Sequence, residues 1–172
     1  AEKEAIFEAQ IRYTIEEHFR KQARYRAQGI KVLSLFFVDK VDNFASDEGM
    51  LRKLYIKAFN ELKGGFPDWR EADPIKAQAS YFASKTKRSG KVEYLDSSGK
   101  TKEDETAFNL IMREKERLLS FDETVSFIFS HSALREGWDN PNVFQICTLR
   151  EVGSETERRQ QVGRGIRLPV NQ

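Results

Sequence analysis

The sequence predicts an α/β fold, a mainly parallel β-sheet flanked by helices on both faces. Three apolar runs of strand length, at residues 31–38, 125–129 and 143–149, alternate with segments of helical periodicity. Near-continuous apolar runs are typical of strands that are buried on both faces, as parallel strands are. Parallel strands need crossover connections, which helices supply. Ligands of such sheets bind beyond the carboxyl ends of the strands, so function is expected in the loops that follow them.

The composition is that of a folded domain. The chain has 172 residues, of which 39% are hydrophobic and 13 are Phe, enough for a substantial core. Its 29 basic and 27 acidic residues nearly balance, so the net charge of +2 neither favours nor excludes nucleic acid as a partner. No apolar run approaches the ~20 residues of a membrane span, so no membrane association is predicted.

Cysteine and histidine usage argues against disulfide and metal chemistry. The single cysteine, Cys147, lies in an apolar run and is predicted to be a small buried hydrophobic residue. One cysteine cannot form an internal disulfide, which fits a reducing cytosol. The two histidines, His18 and His131, have no matching cysteines or clustered carboxylates, so no metal site is predicted.

The first half of the chain predicts two helices around one strand. A helical stripe of apolar residues covers residues 2–28, and Gly29 is a plausible stop. The buried strand at residues 31–38 comes next. A second stripe, over residues 47–63, ends at Gly64-Gly65.

Residues 66–100 are the hardest part to interpret. A short strand is predicted at Ser80–Ala83, and the polar stretch from Lys85 to Lys100 indicates a hairpin or a mobile loop. After this stretch, Thr101-x-x-Asp104 opens a helix whose inward positions are predicted to be Phe108, Ile111, Leu118 and Leu119. The strands at residues 125–129 and 143–149 follow, and then a helix that carries two arginines.

Those arginines, Arg164 and Arg167, lie on one face if their segment is helical, because they are three positions apart. A helix-start pattern, Ser154-Glu155-Thr156-Glu157, precedes them. Guanidinium groups bind phosphate oxygens in two-point fashion, so such a pair suits the arginine-finger role in phosphoryl transfer. The alternative is a solvated basic helix end, and spacing alone does not separate the two.

The loop at residues 130–141 is a second candidate region, because it directly follows a predicted strand. Gly137 permits close approach of the backbone to a ligand, and Asp139 has the chemistry to accept a hydrogen bond from a ribose hydroxyl. Asp139 also fits a simple turn, Asp139–Asn142. His131 fits either a phosphate contact or a loop cap.

A phosphate-binding P-loop is not predicted. Ser98-Gly99-Lys100-Thr101 resembles the end of one, but the complete pattern requires glycine at position 94, where the chain has Tyr94. The chain therefore carries candidate arginine fingers with neither a triphosphate cradle nor a magnesium ligand. By itself it is expected not to hydrolyse ATP.

Together these stretches resemble a known family. Residues 125–139 and 160–167 resemble the fifth and sixth motifs of superfamily-two helicases, whose motor consists of two RecA-like domains, and residues 32–39 resemble the fourth. The similarity is closer still to the Res subunit, the helicase and nuclease subunit, of type III restriction–modification enzymes. It extends over four stretches of the chain: residues 31–38, 109–122, 127–147 and 163–172.

The resemblance implies roles for individual residues. Arg164 and Arg167 would act on ATP held by a first RecA-like domain, and the others would bind nucleotide or nucleic acid. The implied nucleotide contacts are Gly137, Asp139, Gln160 and Gly163, and the implied nucleic-acid contacts are His131 and Ser132. Related helicases have Thr at the His131 position, so His131 departs from the family pattern. The resemblance places the P-loop, the Mg²⁺ ligands and the nuclease outside residues 1–172.

The resemblance further implies that residues 1–172 are the second RecA-like domain of a longer bacterial cytoplasmic chain, with residues 66–100 as a family-specific or mobile insertion. Its implied activity is that of an ATP-driven, Mg²⁺-dependent DNA helicase or translocase serving a restriction endonuclease. Its implied partners are double-stranded DNA, the first RecA-like domain and a modification (methyltransferase) subunit. The alternatives are the second motor domain of another superfamily-two repair or remodelling helicase, and a non-catalytic nucleic-acid-binding module.

Overall fold

The computed structural model describes residues 2–38, 49–81, 85–86, 92–93, 106–107, 109–130, 142–149 and 166–167. The helices in these residues are α1 (Glu2–Tyr25), α2 (Met50–Leu62) and α3 (Lys115–Leu118), with a π-helical turn at Asn109–Arg113 and 3-10 turns at Arg26–Gln28, Lys63–Gly65 and Pro67–Trp69. The strands are β1 (Leu33–Val38), β2 (Gln78–Tyr81), β3 (Lys85–Thr86), β4 (Val92–Glu93), β5 (Phe127–Ser130), β6 (Val143–Leu149) and β7 (Ile166–Arg167).

The main sheet has the strand order β2-β5-β1-β6-β7. The first four strands are mutually parallel, and only the edge strand β7 is antiparallel to its neighbour. Every residue of β1 and β5 is buried, as expected for central strands covered on both faces. The predicted fold class, a mainly parallel sheet flanked by helices, is confirmed.

Helix α1 packs on one face of the sheet through the apolar stripe seen in the sequence. Phe7, Ile11, Ile15 and Phe19 recur at helical spacing and are at most 1% exposed. The helix passes into a 3-10 turn that ends at Gly29, which has φ +74 and donates its N–H to the Arg26 carbonyl at 2.9 Å. This left-handed conformation favours glycine, so the predicted helix over residues 2–28 and its stop are confirmed.

Helix α2 packs beside α1 on the same face and runs antiparallel to the strands. The ring of Tyr55, one turn before Phe59 in α2, lies 5.2 Å from that of Phe129, late in β5, and 5.7 Å from that of Phe127 at its start. The ring of Phe59 lies 6.0 Å from that of Phe127. The amino terminus of α2 therefore points toward the carboxyl edge of the sheet. The two helices enclose an aromatic core centred on Phe127.

The opposite face of the sheet is covered by an irregular helical segment. Its π-helical turn at Asn109–Arg113 closes with a 2.7 Å hydrogen bond from the Glu114 N–H to the Asn109 carbonyl, and the short α3 follows. This face of the sheet has its own apolar core cluster. Ile111 and Leu118 are buried in it, as predicted, and Leu119 packs at its margin. The fourth inward position, Phe108, lies outside the described residues.

The edge strand β2 and the hairpin β3–β4 lie within residues 66–100. Strand β2 overlaps the short strand predicted at Ser80–Ala83, and β3 pairs with β4 in antiparallel fashion through Lys85↔Glu93 and Thr86↔Val92. The hairpin alternative for residues 85–100 is thereby confirmed for these positions.

One local prediction is wrong. The helix expected to carry Arg164 and Arg167 does not extend to Arg167, because Ile166–Arg167 forms β7 and pairs with β6. Gly165 precedes these two residues and Pro169 follows them, and both residue types disfavour a continuing helix. An open strand edge also supplies backbone partners that sequence periodicity does not reveal. Arg164 lies outside the described residues.

Candidate site at the carboxyl edge of the sheet

The three central strands end level with one another. The register pairs Phe37 of β1 with Ser130 of β5 and with Thr148 of β6, and Val38 with Leu149. The segments that follow these strands, residues 39–48, 131–141 and 150–165, therefore begin at neighbouring points of one edge. Two of these three segments contain residues with implied ligand contacts, and ligands of parallel sheets usually bind beyond this edge.

Most residues of the predicted site follow the strand ends directly. His131, for example, follows Ser130, the last residue of β5. The predicted residues that lie outside the described part of the chain are His131, Ser132, Gly137, Asp139, Gln160, Gly163 and Arg164.

Only the backbone of Arg167 is placed. It lies opposite Ile146, and Ile166 lies opposite Cys147, so β7 runs away from the carboxyl edge. Ile146 precedes the last residue of β6, Leu149, by three positions, which at ~3.3 Å per residue puts the Arg167 backbone roughly 10 Å short of that edge. The structure does not bring the Arg167 backbone level with the strand ends.

The amino terminus of α2 lies toward the carboxyl edge. Gly49 is the N-cap, with φ −60 and ψ 132, and makes no side-chain capping bond. The first turn contains no acidic residue, and Arg52 and Lys53 lie within it. Cations at this end do not compensate the helix dipole, and both residues have partners in the structure. Asp47 and Glu48 directly precede the N-cap in the sequence.

A buried polar layer lies toward the opposite, amino edge of the sheet. The Gln145 amide of β6 donates to the Thr14 carbonyl of α1 at 2.8 Å and to Ser34 Oγ of β1 at 3.1 Å. Ser34 Oγ in turn lies 2.7 Å from His18 Nδ1. Because Oγ already accepts a hydrogen bond from Gln145, its own proton is available to His18 Nδ1. The layer ties α1 to the two central strands through hydrogen bonds rather than apolar contact alone.

Burial keeps the His18 imidazole neutral. Its side chain is fully buried, and desolvation, followed by the positive charges of Lys31 and Lys21, lowers its pKa to about 3. Among the described residues, its second ring nitrogen, Nε2, has no hydrogen-bond partner. A neutral imidazole that is enclosed in this way acts as a structural group.

Lys31 forms a second polar anchor at the amino edge. Its ammonium donates to the backbone carbonyls of Leu118, Ser120 and Glu123 at 2.8, 3.1 and 2.5 Å, where α3 ends and the chain turns toward β5. The carbonyl of Lys31 accepts a 2.9 Å bond from the side chain of Asn142, which precedes β6. Burial lowers the Lys31 pKa to about 8, although the Glu123 carboxylate opposes the shift. Lys31 thus links the starts of three neighbouring strands.

Sequence reasoning missed this polar layer. His18 falls among the apolar positions of α1, and Gln145 lies inside an apolar run, so each interrupts a hydrophobic pattern. Such an interruption is the available signal, but it does not reveal a partner that is 131 residues away, as Gln145 is from Thr14. The prediction for Cys147 is confirmed, because its thiol is fully buried and burial raises its pKa to about 12.

Comparison with known proteins identifies relatives that cover nearly the whole chain. No protein-family model matches it. The Res subunit of the type III restriction-modification enzyme EcoPI, from Escherichia phage P1, is 36% identical over 175 residues, which include 98% of this chain. The EcoP15I Res subunit from Escherichia coli and the StyLTI Res subunit from Salmonella typhimurium are each 36% identical, over 94% of this chain. The chain is related to type III Res subunits.

The resemblance to type III Res subunits is thereby confirmed. The alignment covers 17 to 19% of the length of each Res subunit, so the chain corresponds to one segment of these much longer relatives. Among the described residues, no helix is both long and apolar enough to cross a bilayer. Within the same residues, no group of three or more His, Cys, Asp or Glu side chains is arranged to hold a metal ion.

Proposed function

We propose that this chain is the second RecA-like half of an ATP-dependent DNA motor within a type III restriction endonuclease. The supporting observation is the similarity to three Res subunits along nearly the whole chain. The parallel sheet agrees with it, since three strand ends meet at one edge and two of them precede segments with implied nucleotide or nucleic-acid contacts.

In this proposal ATP binds between two RecA-like domains, and Arg164 and Arg167 complete the site from this chain. Guanidinium groups stay charged and fork onto phosphate oxygens, so they stabilise the charge that develops during γ-phosphoryl transfer. Because they reach the nucleotide only in the closed cleft, hydrolysis is coupled to domain closure. Gly137, Asp139, Gln160 and Gly163 contact the nucleotide, while the Mg²⁺ ligands belong to the rest of the longer protein.

In this proposal, closure of the cleft between the two domains acts on bound DNA. Phosphate contacts hold the duplex without reading its sequence, and His131 and Ser132 contribute such contacts from the segment after β5. Release of the γ-phosphate removes the charge that the arginines held, and the cleft opens. DNA bound across both domains is then moved or switched between two arrangements, and a modification subunit supplies sequence recognition.

The test is DNA-stimulated ATP hydrolysis by the full-length protein with Arg164→Ala or Arg167→Ala. Each substitution is expected to lower kcat by roughly 10³, the scale of an arginine finger, while ATP affinity stays within a few-fold. Arg24→Ala, an exposed position near the end of α1, is the matched control and should retain full turnover. Near-normal kcat in both Arg164→Ala and Arg167→Ala would reject the proposed role.

The backbone position of Arg167 makes the comparison of the two variants informative. Its strand lies short of the carboxyl edge, so a loss confined to Arg164→Ala would assign the finger to that residue alone. Absence of any DNA-stimulated ATPase in the wild-type full-length protein would reject the motor itself, and would favour a nucleic-acid-binding module without catalysis.

A further inference from the structure

The turn between α3 and β5 directs three backbone carbonyls at a single point. The carbonyl oxygens of Leu118, Ser120 and Glu123 lie 2.8, 3.1 and 2.5 Å from Lys31 Nζ. An ammonium group carries three protons and no acceptor, so each carbonyl can receive one of them. Because Lys31 is only 2% exposed, these carbonyls replace water that would otherwise surround the charge.

The turn is also closed by hydrogen bonds of its own. The Glu123 N–H donates to the Ser120 carbonyl at 3.1 Å, and the Asp122 N–H donates to Ser120 Oγ at 3.1 Å. The Val125 N–H donates to Glu123 Oε2 at 3.0 Å. None of these three bonds involves Lys31. The turn therefore has contacts that hold its carbonyls in place without the lysine, and such a site is preorganised for its ligand.

The charges around the turn favour a cation that has N–H donors. The oxygen ends of three carbonyl dipoles face Lys31 Nζ, and the Glu123 carboxylate attracts the same ammonium. Arg117 lies 3.2 Å from Glu123 Oε1 and offsets part of that negative charge. Hydrogen bonds from a charged donor are roughly twice as strong as neutral ones, so a single ammonium group suits this geometry.

We propose that the turn at residues 118–123 is a binding site for a primary ammonium group, and that the side chain of Lys31 is its built-in ligand. Lys31→Ala deletes three methylene groups and the ammonium, which together are the atoms of n-propylammonium. The free cation should therefore occupy the space that the substitution vacates and bind the same three carbonyls. The inference does not depend on the proposed motor, since it concerns the amino edge of the sheet.

The test is urea unfolding of the 172-residue Lys31→Ala chain at pH 7 in n-propylammonium chloride. A ligand of this size is expected to bind with a dissociation constant on the order of 10 mM. At about 100 mM it should raise the ratio of folded to unfolded Lys31→Ala protein roughly tenfold and increase the urea midpoint. The wild type should not respond, because its tethered ammonium already fills the site at a high effective concentration.

The controls separate binding in the vacated space from a general effect of salt. Tetramethylammonium chloride supplies the same charge without an N–H donor, KCl matches the ionic strength, and neither should stabilise Lys31→Ala. Lys57→Ala, at an exposed position, and Lys31→Met, whose side chain refills the space, should respond to n-propylammonium no more than the wild type does. No gain in Lys31→Ala, or an equal gain with either control salt or in either control variant, would overturn the inference.

A measurement on the wild-type chain tests the same contacts if Lys31→Ala does not fold at any amine concentration. Three hydrogen bonds should slow the exchange of the Lys31 ammonium protons with water. Heteronuclear NMR at pH 7 should therefore detect an ammonium signal that is absent from Lys31→Met and present in Lys57→Met. If no signal is lost specifically in Lys31→Met, the carbonyls do not hold the ammonium and the inference fails.

Discussion

Acid should destabilise this protein through His18, and the size of the effect follows from its burial. The imidazole is fully enclosed and its pKa is about 3 in the fold, against ~6.5 in an unfolded chain. Below pH 6.5 the unfolded chain therefore binds a proton that the folded protein does not accept until the pH approaches 3. The stability contribution of the neutral ring is complete above pH 6.5 and is lost progressively as the pH falls from there.

The size of the acid destabilisation follows from the linkage between proton binding at His18 and folding. Each pH unit below 6.5 costs about 1.4 kcal/mol until the folded group also titrates. At pH 5, which is ~1.5 units below the unfolded pKa, the loss is about 2 kcal/mol. That is a substantial part of the ~5–15 kcal/mol by which an ordinary domain is stable.

The assay is urea unfolding of the 172-residue chain at pH 7 and pH 5, for the wild type and for His18→Asn. Asparagine places a polar atom near the position of Nδ1, so it retains the contact to Ser34 but cannot titrate. The variant will be less stable at both pH values, because it fills less of the core. The decisive quantity is the difference between pH 7 and pH 5, which should be about 2 kcal/mol smaller in the variant. Other titrating groups cancel in this comparison, so equal pH dependence in the two proteins would refute the argument.

Three further outcomes follow from the two core clusters and the amino-edge anchors. Phe127→Ala should cost about 3–5 kcal/mol in the free energy of unfolding, since its ring is buried among six aromatic neighbours. Phe121→Ala, at a position that is 38% exposed, is the control and should cost under ~1 kcal/mol. Lys31→Met should lower the free energy of unfolding by about 2–4 kcal/mol, because three backbone carbonyls lose a charged donor. The control, Lys57→Met at an exposed position, should change it by no more than ~0.5 kcal/mol. A loss in Lys31→Met no larger than that of the control would contradict the anchoring role of Lys31. Cys147 should react with a thiol reagent at pH 8 only on unfolding, since its buried thiol has a pKa of about 12; rapid stoichiometric labelling of the native protein would show that the site is open.

The parts of the fold that the sequence predicts are those governed by local patterns. The apolar stripe of α1, its stop at Gly29 and the buried strand β1 each follow from side-chain periodicity or from glycine's access to positive φ. Strand β6 begins and ends where its apolar run predicts. The common edge at which β1, β5 and β6 end also follows, because parallel strands with crossovers leave no other arrangement.

The parts that the sequence does not predict depend on partners far along the chain. The π-helical turn at Asn109–Arg113 reads as an ordinary amphipathic helix, since one extra residue in a turn hardly changes the apolar spacing. The pairing of β7 with β6 depends on an available edge, and the contact of Gln145 with Thr14 and Ser34 depends on how α1 lies across the sheet. For the candidate site, the sequence predicts the residue types, and the structure shows that the strands preceding them end at a common edge.

Substitutions at the amino edge of the sheet should affect stability, whereas substitutions beyond its carboxyl edge should affect catalysis. The anchors at Lys31 and His18 lie toward the amino edge and hold the starts of the strands, whereas the proposed ATP and DNA contacts follow the strand ends. We therefore expect Lys31→Met to lower the urea midpoint of the 172-residue chain, while kcat for DNA-stimulated ATP hydrolysis by the full-length protein stays within ~3-fold at temperatures where it is folded. Arg164→Ala should do the reverse, with an unchanged midpoint and a kcat reduced by roughly 10³. A fully folded Lys31→Met protein with strongly reduced kcat would contradict this separation. It would show that the strands couple the Lys31 contacts at the amino edge to the residues that follow the strand ends at the carboxyl edge.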